Sequence, residues 1–194
     1  GPQQSIRVNF APATTQAIDG YVVDSGAAFG ARAEGVKFGW DADLTSSAAT
    51  SASSSPDARY SSFIPMNDHR WEIELPSGMY RVRVVAGGPD SVDAVCNIDV
   101  EDRPALRNTT TKFNHWLDVT VRAVVTDGRL TIRPADGSKN ASLCFVEIEP
   151  SDDGTRLLSW LQLGFSSDNK AERCLPPNLR RLGWRQYVRD GALP

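Results

Sequence analysis

Arg70–Gly87 reads RWEIELPSGMYRVRVVAG, and the alternation inside it decides the fold class. Trp71, Ile73 and Leu75 alternate with Glu72 and Glu74, the period-two pattern of a strand with one buried face. Pro76, Ser77 and Gly78 break the run, and Tyr80, Val82 and Val84 then alternate with Arg81 and Arg83. With Pro76–Met79 as the loop, the two runs read as a β-hairpin. Leu75 then faces Tyr80, Ile73 faces Val82 and Trp71 faces Val84. The same register sets Glu74 opposite Arg81 and Glu72 opposite Arg83 on the wet face. A slip of one residue would bury charge or expose the apolar set, so burial specifies the register and charge pairing supports it.

Outward from this stretch the chain keeps the same grammar. Ser5–Phe10 reads as a first strand, and Gly20–Trp40 carries five glycines between short apolar pieces, as tight loops at a sheet edge do. Asp41–Ser55 is small, polar and low in complexity, and is expected to be a long mobile loop. Tyr60–Met66, Ser91–Val100, Phe113–Val125 and Ser142–Pro150 read as further strands, with Glu101–Lys112 as a polar connection. Thr126-Asp127-Gly128 signals a hairpin into a return strand at Leu130 and Ile132. Each strand has one apolar face to hide, and an antiparallel β-sandwich hides all of them. From Ser151 the pattern becomes helical, over Ser151–Phe165 and again over Asn178–Asp190. The expected architecture is all-β. Residues 1–4 are a scar and disordered start, and 5–150 a sandwich of jelly-roll, galactose-binding-like type. A short helical extension over 151–194 packs on the sandwich or on a partner.

Composition excludes more than it assigns. With 194 residues, 40% hydrophobic and 23% charged, the chain supports one well-buried domain with an appendage. A net charge of −3 makes no electrostatic case for nucleic acid, and no apolar run is long enough to insert in a membrane. Gly1-Pro2 reads as a protease-cleavage scar, so compartment stays unassigned and the chain is read as part of a larger chain or assembly. Cys96, Cys144 and Cys174 lack metal-type spacing; the first two fall at inward strand positions as buried free thiols, a bond between them being the alternative. The sequons at Asn108 and Asn140 matter only in a secretory route.

The chemistry that remains is recognition. His69 and His115 have no second ligand at metal spacing, and Ser25 lies in DSG rather than in a nucleophile elbow, so neither a zinc site nor a hydrolase triad is expected. The chain is read as having no catalytic residues and no cofactor, apart from a structural calcium for which Asp90, Asp93 and Asp99 are the donors to consider. Strict alternation places Asp93 and Asp99 on a wet strand face, where solvated charge is the default. Tyr21, Phe29, Phe38 and Trp40 surround the glycine-rich loops, either as a platform for a sugar ring or as plugs for the end of the sandwich.

VNF (Val8–Phe10), GYVVDSGAAFG (Gly20–Gly30), WEIELPSGMYRVRVVAG, TDGRLTIRP (Thr126–Pro134) and FVEIEP (Phe145–Pro150) together resemble the malectin-like branch of galactose-binding-like sandwiches. The resemblance spans roughly residues 5 to 150, and carbohydrate-binding modules share parts of it. It implies a sugar held at edge loops between aromatic rings and a carboxylate. Carried over, it places Tyr21 near one site aromatic, Asp24 in the same loop, and Asp152 or Asp153 at the site carboxylate. The loop after the hairpin departs from the family, with Gly88, Pro89 and Asp90 where aromatics are expected. The resulting candidate ligand-binding set is Tyr21, Asp24, Trp40, Asp90 and Asp152, and the expected partner is a glycan. A protein partner engaging the sandwich surface and residues 151–194 is the alternative.

Overall fold

The computed structural model describes residues 5–32 and 35–151. The expected C-terminal helices, Cys174 and Asp152 lie outside the described residues. Thirteen strands are described: β1 (Ile6–Phe10), β2 (Val22–Asp24), β3 (Gly30–Ala31), β4 (Lys37–Trp40), β5 (Ala49–Thr50), β6 (Ser62–Pro65), β7 (Trp71–Glu74), β8 (Gly78–Gly87), β9 (Val95–Val100), β10 (Arg103–Thr109), β11 (Trp116–Val125), β12 (Arg129–Pro134) and β13 (Ser142–Pro150). One sheet runs β11-β8-β13-β1-β2, with β6 beside β13 and β5 beside β6; the other runs β10-β9-β12-β7-β4-β3. The two form the all-β sandwich the alternation implies. β1 and β2 pair in parallel, and the other pairs are antiparallel.

Trp71, Val82 and Ile148, from three strands and both sheets, share one interior. Phe10 sits at its centre, edge-on to Trp40 at 5.8 Å and to Trp71 at 5.5 Å between ring centroids. Each such ring contributes roughly 1.5–3 kcal/mol by leaving water, and the edge-to-face geometry adds about 1 kcal/mol.

The central hairpin does not form. β7 lies in the six-stranded sheet between β12 and β4, and β8 lies in the seven-stranded sheet between β11 and β13. Pro76-Ser77 carries the chain across the core from one sheet to the other. The Leu75 N–H donates to the Gly128 carbonyl at 3.0 Å, and the Tyr80 hydroxyl donates to the Pro76 carbonyl at 2.7 Å, which pins the crossing. Trp71, Ile73, Tyr80 and Val82 still point into one core, but across the sandwich rather than along one face. The charges therefore pair elsewhere. Glu72 meets Arg129 at 3.2 Å and Glu74 meets Lys37 at 3.0 Å. Arg81 meets Glu149, and Arg83 meets Asp118 and Glu147. Thr126–Gly128 likewise joins β11 to β12 across the two sheets instead of closing a hairpin.

Three further elements differ from expectation. Within Glu101–Lys112 lies a strand, β10, joined to β9 by the tight turn Glu101-Asp102, whose φ values are 50° and 56°. β9 itself starts at Val95, and Asp93, at φ 60°, belongs to the turn before it. The Asp41–Ser55 segment is tied down: Leu44 is buried at 6% exposure, its N–H donates to Gly26 at 2.7 Å, and β5 pairs with β6. Gly26, at φ 92°, leaves no room for a Cβ beside the Leu44 backbone.

Both described cysteines are buried free thiols. Cys96 points into the main core, but Cys144 does not. A register shift between Leu143 and Phe145 turns Cys144 and Phe145 to the outer side of the sheet, where with Val85 they found a second apolar cluster.

Candidate functional site

The outer face of the seven-stranded sheet has two halves. In one, Tyr21, Tyr60, Phe63 and Trp116 close over Phe145 and Val85. Asn9 explains how the covering chain is held. Val8 and Phe10 enter the core, so alternation turns Asn9 outward, yet it is only 1% exposed. Its Nδ2 donates to the Cys144 carbonyl at 3.0 Å and to the Arg59 carbonyl at 3.2 Å, fastening residues 58–60 over the sheet.

In the other half the face is open and charged. Register brings Arg7 of β1 beside Glu147 of β13, and Glu147 beside Arg83 of β8. A groove of about 500 Å³ lies where the halves meet, lined by Arg7, Tyr21, Asp57, Arg59, Arg83 and Glu147, with Ile18 and Ala58 at its margin. Two of the lining guanidiniums lie over the buried Phe145 ring, Arg59 at 5.0 Å and Arg83 at 5.3 Å from its centroid. A shallower depression of about 190 Å³ adjoins it and shares Arg83 and Glu147.

Glu147 is the hub. The Tyr21 hydroxyl donates to it, Arg59 reaches it at 3.2 Å and Arg83 at 3.3 Å. Burial alone would raise its carboxyl, but the Tyr21 hydrogen bond and the two guanidinium charges outweigh that and hold it below the usual glutamate value. Burial, with the Glu147 bond, raises the Tyr21 phenol. Arg59 is clamped by Asp57 at 2.7 Å, and Arg83 by Asp118 through two bonds of 2.6 and 3.0 Å, which fixes both planar donor arrays. The groove thus offers one phenol edge and several oriented donors and acceptors.

Of the described residues expected to bind ligand, only Tyr21 lines this groove. Asp24 and Trp40 are interior, at 1% and 0% exposure. Asp24 accepts from the Gly26 N–H and from the Trp71 indole, both at 2.7 Å, and burial pushes its carboxyl up. Trp40 packs against Phe10, which is the plug reading of the glycine-rich segment rather than the platform reading. Asp90 is exposed at a different place, accepting from Ser51 and Ser53 at 2.7 Å each. Of the acids considered for calcium, Asp99 instead pairs with Arg107 and Arg133. No group of three or more His, Cys, Asp or Glu side chains disposed to hold a metal occurs among the described residues. Sequence reasoning did not single out Arg7, Asp57, Arg59, Arg83 or Glu147 as a site. The one available signal was the charge on the wet positions of three strands, and it says nothing until those strands are neighbours.

Solved structures match the fold. The Bacillus subtilis protein YXIM aligns with a TM-score of 0.53 at 17% identity, over 76% of this chain and 40% of that one. The plant receptor-like kinase FER aligns at 0.54 and 13% identity, over 77% and 43%. Bacteroides uniformis beta-glucuronidase 2 aligns at 0.53 and 11% identity, over 76% and 18%. The chain therefore spans less than half the length of these proteins, and what it shares with them is the β-sandwich. No family model and no curated protein matches the sequence. No helix among the described residues is long and apolar enough to cross a membrane.

Proposed function

We propose that this chain is a non-catalytic, malectin-like binding module that takes a glycan into the groove beside Tyr21. The observation that carries the reading is the pre-organised set Tyr21–Glu147–Arg59–Arg83 around an open groove on a rigid sheet. Sugars present hydroxyl pairs and a weakly apolar ring, and fixed planar donors beside a phenol suit both at small ordering cost. The acids of the groove support a binding role over a hydrolytic one. A glycosidase needs one carboxyl raised toward neutrality to protonate the leaving group, whereas Glu147 and Asp57 are both lowered.

A glycan array tests the proposal. Reproducible hits that weaken about tenfold or more in Tyr21→Ala protein that still melts cooperatively support it. An array with no hits, or hits indifferent to Tyr21, removes it. The second reading, a protein-interaction domain, rests on Phe113, 88% exposed at the tip of a turn that Thr111 and Asn114 close with backbone bonds of 2.9 and 3.0 Å. FER, which shares this fold, is solved in complex with the peptide RALF23 and with LLG2. Loss of a co-purifying partner in Phe113→Ser, alongside an empty array, favours this reading.

A further inference from the structure

The groove's charges are unevenly spent. Arg59 is held by Asp57 and Glu147, and Arg83 by Asp118 and Glu147. Arg7 is the remaining guanidinium of the lining. Its register partner is Glu147, but that carboxylate is turned to Tyr21, Arg59 and Arg83. Among the described residues Arg7 has neither an ion pair nor a hydrogen bond. It is exposed, with its guanidinium near Gly20, on the same side of the groove as Tyr21's loop. The lining holds three guanidiniums against two carboxylates, Asp118 engaging Arg83 from the far strand.

We propose that Arg7 selects the ligand: the groove takes a glycan bearing an anionic substituent, a carboxylate or a sulfate, which the free Arg7 guanidinium binds while the Glu147 cluster reads neighbouring hydroxyls. This rests on the glycan-binding reading above and adds the charge of the ligand to it. A guanidinium fork matches a carboxylate or sulfate with two parallel hydrogen bonds, a geometry that a point-charge ammonium does not reproduce. A neutral sugar would leave that fork bound only to water. The protein's net charge of −3 opposes non-specific attraction to polyanions, so binding of an acidic glycan would have to come from a local site.

The test is affinity electrophoresis and calorimetry of the whole chain against five polymers: dextran, dextran sulfate, polygalacturonate, its methyl ester and poly-L-glutamate. Expected is binding of polygalacturonate or dextran sulfate over its uncharged counterpart, with the two acidic arms telling carboxylate from sulfate. Binding weakens between 50 and 200 mM salt, on the order of the Debye screening in that range. Arg7→Gln lowers affinity about tenfold or more at unchanged thermal stability, and Arg7→Lys restores part of it. Equal binding of charged and uncharged polymers, or an Arg7→Gln variant that binds as the parent does, overturns the role of Arg7 and leaves the glycan-binding reading standing. Equal binding of poly-L-glutamate overturns it too, as generic charge or an acidic peptide site. Binding of none of the polymers, together with an empty glycan array, overturns both.

Discussion

Glu147 and Asp24 are both carboxylates on strands of one sheet, and their surroundings drive them in opposite directions. Glu147, beside two guanidiniums and a phenol, is stabilised as the anion, so it contributes stability that is present above the ordinary value of 4.5 and lost as pH falls through its lower folded value. The melting-temperature difference between the parent and Glu147→Gln is therefore expected to be largest above about pH 5 and to shrink on acidification, as thermal melts over pH 2–7 will show. A difference that grows toward acid would contradict the pairing. Asp24 is instead a buried acceptor that satisfies the Gly26 N–H and the Trp71 indole. Asp24→Ala leaves both donors orphaned, and urea denaturation should show a loss of about 2–4 kcal/mol. Folded Asp24→Ala protein is expected to keep its ligand affinity. Lost affinity at parental stability would return Asp24 to the binding surface.

At the scale of elements, what the sequence leaves open is which strands are neighbours. β7 and β8 carry matched apolar and charged alternations, and a hairpin satisfies them as well as an arch does. Pro76 breaks both equally. In the arch each strand has two hydrogen-bonded neighbours, β12 and β4 for β7, and β11 and β13 for β8. Double-mutant cycles distinguish the two. Arg83 and Glu147, adjacent in register, should couple by about 0.5–1 kcal/mol, while Glu74 and Arg81, on different sheets, should couple by about zero. A measurable Glu74–Arg81 coupling would restore the hairpin. β10 was hidden for another reason: its turn uses Glu101 and Asp102 at positive φ, where Asn-Gly is the usual signal, and its residues are mostly exposed.

For the whole molecule, the repeated crossing between sheets has a kinetic consequence. β6, β7, β8 and β9 fall alternately in the two sheets, as do β11, β12 and β13, and β1 pairs with β13, the first described strand with the last. Few contacts can form before distant strands meet, so folding is expected on the millisecond-to-second scale. Trp40 and Trp71, both fully buried, report it by stopped-flow fluorescence. A submillisecond main phase would speak against this topology.

What the amino-acid order determined alone is the class of the fold and the side that most strand residues take, Cys144 at the register shift being an exception. Period-two alternation is a local property, and it assigned Trp71, Ile73, Tyr80, Val82, Val146 and Ile148 to the interior before any partner strand was known. Only the tertiary structure decided the rest. It made Asp24 and Trp40 core residues, because a carboxylate and an indole near glycine loops look alike whether they face a ligand or each other's neighbours. It also made Arg7, Glu147 and Arg83 one row, because residues so far apart in the chain become adjacent only through strand register, which depends on long-range pairing and on the shift at Leu143/Phe145.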